Sequence, residues 1–180
     1  MKIGLGKIIA VAAGSIAGTI VGGAWTQKKN NRQMKEVKEN IKKISSYYHL
    51  FNRWLLLRQN GKSCVDYFEK NQYKTIAIYG MKEFGERLFD ELRNTDIKVK
   101  YVIDKNVENL YANIIYANDK YDGLRVVSPE EELQEVDVIV VTANFYFDEI
   151  IESLYEKIDV PVVSLEEVLS EVESAGGYGN

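Results

Sequence analysis

Residues 75–92 read TIAIYGMKEFGERLFDEL, an apolar strand followed by a glycine turn and a helix. The rest of the region repeats that order. β-rich runs recur at 98–104 (KVKYVID), 124–128 (LRVVS), 137–143 (DVIVVTA) and 160–165 (VPVVSL), with helical stretches between them. Strand-helix alternation builds a parallel sheet, and right-handed crossovers arrange it. The expectation is a small α/β domain, a doubly wound and mostly parallel sheet of about five strands in the order 3-2-1-4-5.

Several helix starts are marked. Ser128, Pro129 and Glu131 combine an N-cap, a first-turn proline and a capping glutamate, so a helix is expected from Ser128, and Ser164 with Glu167 repeats the box. Residues 145–158 read as an amphipathic helix with Phe147, Ile150, Ile151, Leu154 and Ile158 on one face. Residues 106–123 fit neither period and admit a degraded helix or an added strand pair.

In such a sheet ligands bind beyond the carboxyl ends of the strands, where the strand order reverses. That selects residues 80–85, 104–106 and 142–146. Gly80 lets the chain leave the first strand sharply, and Gly85 lets the helix pack closely on the sheet. Lys82 stands where a G-x-G-x-x-G loop has its second glycine, the position whose missing side chain lets backbone approach a pyrophosphate. A lysine blocks closest approach, while its ammonium can reach a phosphate and the helix N-terminus still offers N–H groups. Asp104 stands 24 residues past Gly80, where an acid typically meets a ribose hydroxyl. The candidate binding residues are therefore Gly80, Met81, Lys82, Gly85, Asp104, Lys105, Thr142 and Ala143. A P-loop is excluded because Gly85 is followed by Glu86 and Arg87. Tyr101 and Lys105 have the spacing of a dehydrogenase pair, but that spacing aligns side chains on a helix and these two lie on a strand.

Ahead of this region the chain has another character. Residues 8–25 (IIAVAAGSIAGTIVGGAW) carry no charge and are just long enough to cross the ~30 Å hydrocarbon layer as a helix. Gly6, Ala10, Gly14, Gly18 and Gly22 recur every four residues, the small-residue stripe that lets helices approach in lipid. A cleaved signal peptide competes, with Lys2 and Lys7 in front and Gly22-Gly23-Ala24 as the cleavage site. Lys28, Lys29, Arg32, Lys35 and Lys38 beyond the run favour retention in the cytoplasm. The expectation is an uncleaved single-pass anchor in the cell membrane, with the bulk of the chain cytoplasmic. Met34, Val37, Ile41, Ile44, Tyr48, Phe51 and Leu55 then alternate by three and four, the seam of a coiled coil or of a helix lying on its own domain. Gly61 suits the end of that helix, and Ser63 with Asp66 can cap a short one after it. The expected organisation is an anchor at 1–27, a basic amphipathic helical linker at 28–73, a sheet domain at 74–174 and a tail at 175–180.

Charge divides the same way. Residues 1–60 hold eleven Lys/Arg against two Asp/Glu, and residues 61–180 hold twelve against twenty-five, so a basic arm precedes an acidic domain. With an apolar run before it and no DNA or RNA motif, the arm points to anionic lipid and not to nucleic acid. One cysteine, Cys64, and one histidine, His49, leave no internal disulfide and no zinc set. Cys64 reads as a small buried residue.

The segments KTIAIYGMKEFGERLFDEL, VKYVIDKN and VVSPEEELQEVDVIVVTANFYFDEIIESL together resemble the small Rossmann-like domains encoded in bacterial surface-polysaccharide clusters. Such domains also form the N-terminal part of sugar O- and N-acyltransferases and of nucleotide-sugar dehydratases. The resemblance spans roughly residues 74–168. Gly80, Gly85 and Asp104 match its pattern and Lys82 departs from it. No left-handed repeat and no dehydratase half accompany it, so it implies a binding domain for NAD(P) or a nucleotide sugar without the catalytic parts. The small-residue stripe resembles glycine-zipper membrane segments. The expected function is a membrane-tethered binding or accessory module for a nucleotide, a nucleotide sugar or a partner enzyme of polysaccharide biosynthesis. One alternative is an NAD(P)- or nucleotide-sugar-dependent oxidoreductase subunit. Another is a non-catalytic scaffold that forms homo-oligomers through its N-terminal helices. No proton-transfer pair, activated nucleophile or metal set is visible in the sequence, which leans against an enzyme.

Overall fold

The computed structural model describes residues 5–115 and 119–175, with side chains from Asn30 onward except 113 and 114. It divides into two units, Met1–Tyr47 and Tyr48–Asn180. The first helix, α1 (Leu5–Gln59), runs through both. In the first unit it is exposed from residue 30 to residue 42, with i,i+4 ion pairs at 3.8 Å between Arg32 and Glu36 and between Lys35 and Glu39. The uncharged run at 8–25, and with it the expected anchor and its small-residue stripe, lies outside the described side chains. Among the described residues no helix is long and apolar enough to cross a membrane.

The second unit is α/β. Five strands, β1 (Thr75–Tyr79), β2 (Lys98–Ile103), β3 (Arg125–Val127), β4 (Val138–Val141) and β5 (Val162–Ser164), pair entirely in parallel in the order β3-β2-β1-β4-β5. All five fall within the runs expected from sequence, and so does their order. The strands read as near-continuous valine and isoleucine because both faces are covered, which removes the polar alternation of a half-exposed sheet. On one face Ala77, Tyr79, Tyr101, Ile103, Val127, Ile139 and Val141 meet Ile150 and Leu154 of α5 (Phe147–Tyr155), with Phe147, Ile151 and Ile158 packed at the edge. Ile78 points to the other face, where it meets α3 (Glu83–Leu92) beside Gly85.

The segment expected to form a helix from Ser128 does not. Its capping bonds are made, since Ser128 N–H donates to Glu131 Oε1 at 2.7 Å and Glu130 N–H to Ser128 Oγ at 3.2 Å. The carbonyls that a helix would use internally go to distant donors instead. Tyr101 Oη donates to Gln134 O at 2.6 Å, Lys100 Nζ to Glu135 O and Lys157 Nζ to Pro129 O, while Val136 is drawn into the core. Residues 128–137 thus run as an irregular strap from β3 to β4. Residues 106–123 take the degraded-helix form in their described part. α4 (Val107–Leu110) widens into the turn Tyr111–Ile115, and a short turn follows at Asp119–Tyr121. Tyr111 Oη accepts Val126 N–H at 2.9 Å, so this segment also covers an N–H on edge strand β3.

The domain unit starts before residue 74, because the last turns of α1 belong to it. Leu50, Trp54 and Leu57 are buried, and the Trp54 ring stacks on Phe84 at 6.4 Å between centroids. α2 (Cys64–Lys70) carries the full capping box of Ser63 and Asp66. It packs against α3 and α6 (Leu165–Ser174), whose own start is capped by Ser164 Oγ accepting Glu167 N–H. One carboxylate ties α1, α2 and α3 together. Glu91 of α3 accepts from Trp54 Nε1 (2.8 Å), Ser63 Oγ (2.7 Å), Cys64 N–H (2.7 Å) and Arg58 Nη1 (3.3 Å).

Candidate functional site

Parallel order reverses at β1, which has β2 on one side and β4 on the other, so the carboxyl ends of these three strands frame a crevice. The turn out of β1 is held from both flanks. Gly80 has φ +90°, a conformation that favours glycine, and its N–H donates to Ile103 O of β2 at 2.8 Å. From the β4 side, Thr142 Oγ1 lies 2.6 Å from Gly80 O and 3.1 Å from Tyr79 O. Gly85 explains itself sterically, since a Cβ there would sit 2.1 Å from Gly80 O. Both glycines and Thr142 therefore shape the turn itself.

The next positions are less like a pyrophosphate loop. Met81 is fully buried, and its N–H donates to Asp104 Oδ2 at 3.2 Å. The other carboxylate oxygen, Oδ1, accepts Asn106 N–H at 2.9 Å. An anion of the chain's own thus occupies the N–H that a phosphate would need. Lys82 is exposed in extended backbone as N-cap of α3, without a side-chain cap bond, and Lys105 is exposed beside Asp104. The structure brings Gly80, Met81, Asp104, Thr142 and Ala143 together, and Gly85 behind them. It leaves the two lysines on the rim.

Asp104 is half-buried and held by two N–H bonds, but each carboxylate oxygen has further acceptor capacity. Beside it, burial and the charges of Asp104 and Glu130 push the Tyr79 phenol above its ordinary value, which keeps it a neutral hydroxyl at neutral pH. On the other flank Ala143 packs against the core, and Asn144 follows. Both amide atoms of Asn144 are buried and neither has a hydrogen-bond partner among the described residues. Phe145 and Tyr146 come next as an exposed edge-to-face pair at 5.3 Å between centroids. Tyr79 and Glu130 lie outside the strand-end residues that the sequence selects. Asn144 lies within 142–146, but only burial marks its amide as unpaired.

The remaining reactive groups are elsewhere and subdued. Cys64 is buried, and desolvation, then the Glu91 carboxylate, push its thiol well above the ordinary value. Among the described residues no three His, Cys, Asp or Glu side chains gather as a metal set. Two hollows, of about 630 and 550 Å3, lie by Arg125 and 131–135 and by Tyr111, Tyr121 and Leu124. Both adjoin the amino end of β3 and contain no residue of the crevice, whose convergent polar groups make it the better candidate. No protein-family model, curated protein or solved structure matches the chain.

Proposed function

We propose that the chain is a Rossmann-like, membrane-tethered binding module that holds a nucleotide or nucleotide sugar by its ribose or sugar hydroxyls, as an accessory to surface-polysaccharide assembly. The observation that carries this reading is the unpaired buried amide of Asn144 at the switch point. An unsatisfied buried amide costs about 1–3 kcal/mol, and a hydroxyl-bearing ligand that supplies a donor and an acceptor would recover it. Asp104, oriented by two N–H bonds, supplies acceptors of the kind ribose and sugar hydroxyls need. Contact through the pyrophosphate is disfavoured, because Asp104 already occupies the Met81 N–H. No nucleophile with an adjacent base appears in the crevice, so the proposed role is recognition without chemistry. The anchor rests on the uncharged run at 8–25 and the basic residues after it.

Thermal melting of the full chain with UDP-sugars, NAD(H) and NADP(H) tests the reading. A ligand of the folded state at 100 times its Kd adds about 2.7 kcal/mol and must raise the midpoint. Asn144→Ala removes an unpaired group, so the apo midpoint should stay level or rise while the ligand shift disappears. No shift with any saturating nucleotide or nucleotide sugar, or a shift that survives in Asn144→Ala, defeats the proposal.

A further inference from the structure

The apolar seam of α1 lies beside the face that the domain buries and meets the domain at Phe51, whose ring centroid is 6.3 Å from that of Phe84. In the second unit Leu50, Trp54 and Leu57 are buried, whereas Tyr48, Phe51 and Leu55 are 67%, 50% and 47% exposed. In the first unit Met34, Val37, Ile41 and Ile44 are exposed by 52–67%. Each set is open within its own unit, and the sequence joins them in one unbroken alternation of three and four. That is a period of 3.5, the repeat that two supercoiled helices share, and not the 3.6 of a helix lying on a globular surface.

We infer that this seam pairs in parallel with the same seam of a second copy of the chain. Met34, Ile41, Tyr48 and Leu55 then take the a positions, and Val37, Ile44 and Phe51 the d positions. The flanks favour self-pairing. Positions g and e hold Gln33, Lys38, Asn40, Ser45, Tyr47 and Asn52, with the last g, Trp54, buried against the domain, so a parallel pair sets Gln33 beside Lys38, Asn40 beside Ser45 and Tyr47 beside Asn52 across the interface. No like charges oppose each other, and amides and hydroxyls can both donate and accept toward their own copies. A foreign helix selected by charge would find no charge code there. Between Met34 and Leu55 the other cations sit away from the seam, with Lys35 paired to Glu39, and Arg32 just before it pairs with Glu36 of the same helix. Seven large side chains about half exposed leave on the order of 100 Å2 each, roughly 700 Å2 per copy, close to the ~800 Å2 per partner of a standard specific interface.

Sedimentation of the full chain in mild detergent, with disulfide trapping, tests this. The expected results are twice the chain mass for the native protein, the single-chain mass for Ile41→Glu/Ile44→Glu, and a Met34→Cys protein that crosslinks to its own kind. Cys64 is buried and stays out of that reaction. Because Ile41 and Ile44 are exposed, the double variant should keep the native melting midpoint of the domain, which separates loss of pairing from loss of fold. A native chain that stays single overturns the inference, and so does a pair that survives both glutamates. Crosslinks forming only between Met34→Cys and Leu55→Cys would overturn the parallel arrangement. A single chain that binds phosphatidylglycerol vesicles, and loses that binding in the double variant, would assign the seam to lipid instead.

Discussion

Glu91→Gln is the most informative change to the domain, because its effect can be worked from four hydrogen bonds. The carboxylate is 7% exposed and divides its donors unevenly. Oε1 accepts from Ser63 Oγ, Cys64 N–H and Arg58 Nη1, and Oε2 accepts from Trp54 Nε1 alone. Glutamine keeps the shape and one acceptor. With its oxygen on the three-donor side, its NH2 faces the indole N–H, donor against donor, and Trp54 is left unsatisfied beside Phe84. Stranding a buried donor costs about 1–3 kcal/mol, and the bonds that remain lose their charge assistance at about 1 kcal/mol more. The sum is about 3 kcal/mol. In a domain of this size each kcal/mol moves the midpoint by roughly 3–5 °C, so a fall of about 10 °C is expected in circular dichroism melts of the full chain. Trp54→Phe removes the stranded donor, so Glu91→Gln/Trp54→Phe should be more stable than the two single losses added together, by on the order of 1 kcal/mol. A fall below about 3 °C for Glu91→Gln, or strict additivity in the cycle, would refute the assignment of Glu91 as the tie between α1, α2 and α3.

Other outcomes follow from single contacts. Gly85→Ala puts a methyl 2.1 Å from the Gly80 carbonyl, backbone that is itself tied to Thr142, so α3 must move off β1. A loss above about 3 kcal/mol is expected in urea titration, and a native midpoint would mean the turn yields freely. Asp137 Oδ2 accepts the N–H groups of Lys74 and Thr75 at 2.7 Å each, and those bonds hold its carboxyl below the ordinary value. Because the folded value is the lower one, this stability is present above the unfolded carboxylate range and is lost as pH falls through the folded value. The midpoint difference between native protein and Asp137→Asn should therefore be widest at neutral pH and shrink in acid; a difference independent of pH would sink the assignment.

What could be read in the sequence was local or periodic. The five strands are short β-branched runs ended by Gly, Asp, Ser or Thr, and helical turns after β1, β2 and β4 make the crossovers that parallel order needs, whereas the crossover after β3 is the irregular strap. The capping box of Ser63 and Asp66 needs only four consecutive residues and is present in full. The box at Ser128 shows the limit of that reasoning. Its side chains make their bonds, yet Tyr101, Lys100 and Lys157, none of them nearby in sequence, take the carbonyls a helix would have needed. The α1 seam was legible as a stripe, but which stripe the domain would cover was not. Trp54 settles that through Phe84 and Glu91, at distances in sequence no periodicity can sense.

The same limit separates the parts of the candidate site. Gly80 and Gly85 belong to the turn whatever it binds, as a positive φ and a 2.1 Å approach require. Lys82 drew attention as the missing glycine, yet it stands on the rim, and the N–H inside the turn is already taken by Asp104. An aspartate that reaches back to that N–H does with its own carboxylate what a phosphate does in a glycine-rich loop. It satisfies the turn without ligand, at the expense of anion affinity, in a region whose net charge is already negative. Restoring a glycine at 82 would leave that carboxylate in place. The proposed recognition therefore rests on hydrogen bonding and not on charge, through the remaining acceptor sites of Asp104 on one flank and the unpaired amide of Asn144 on the other.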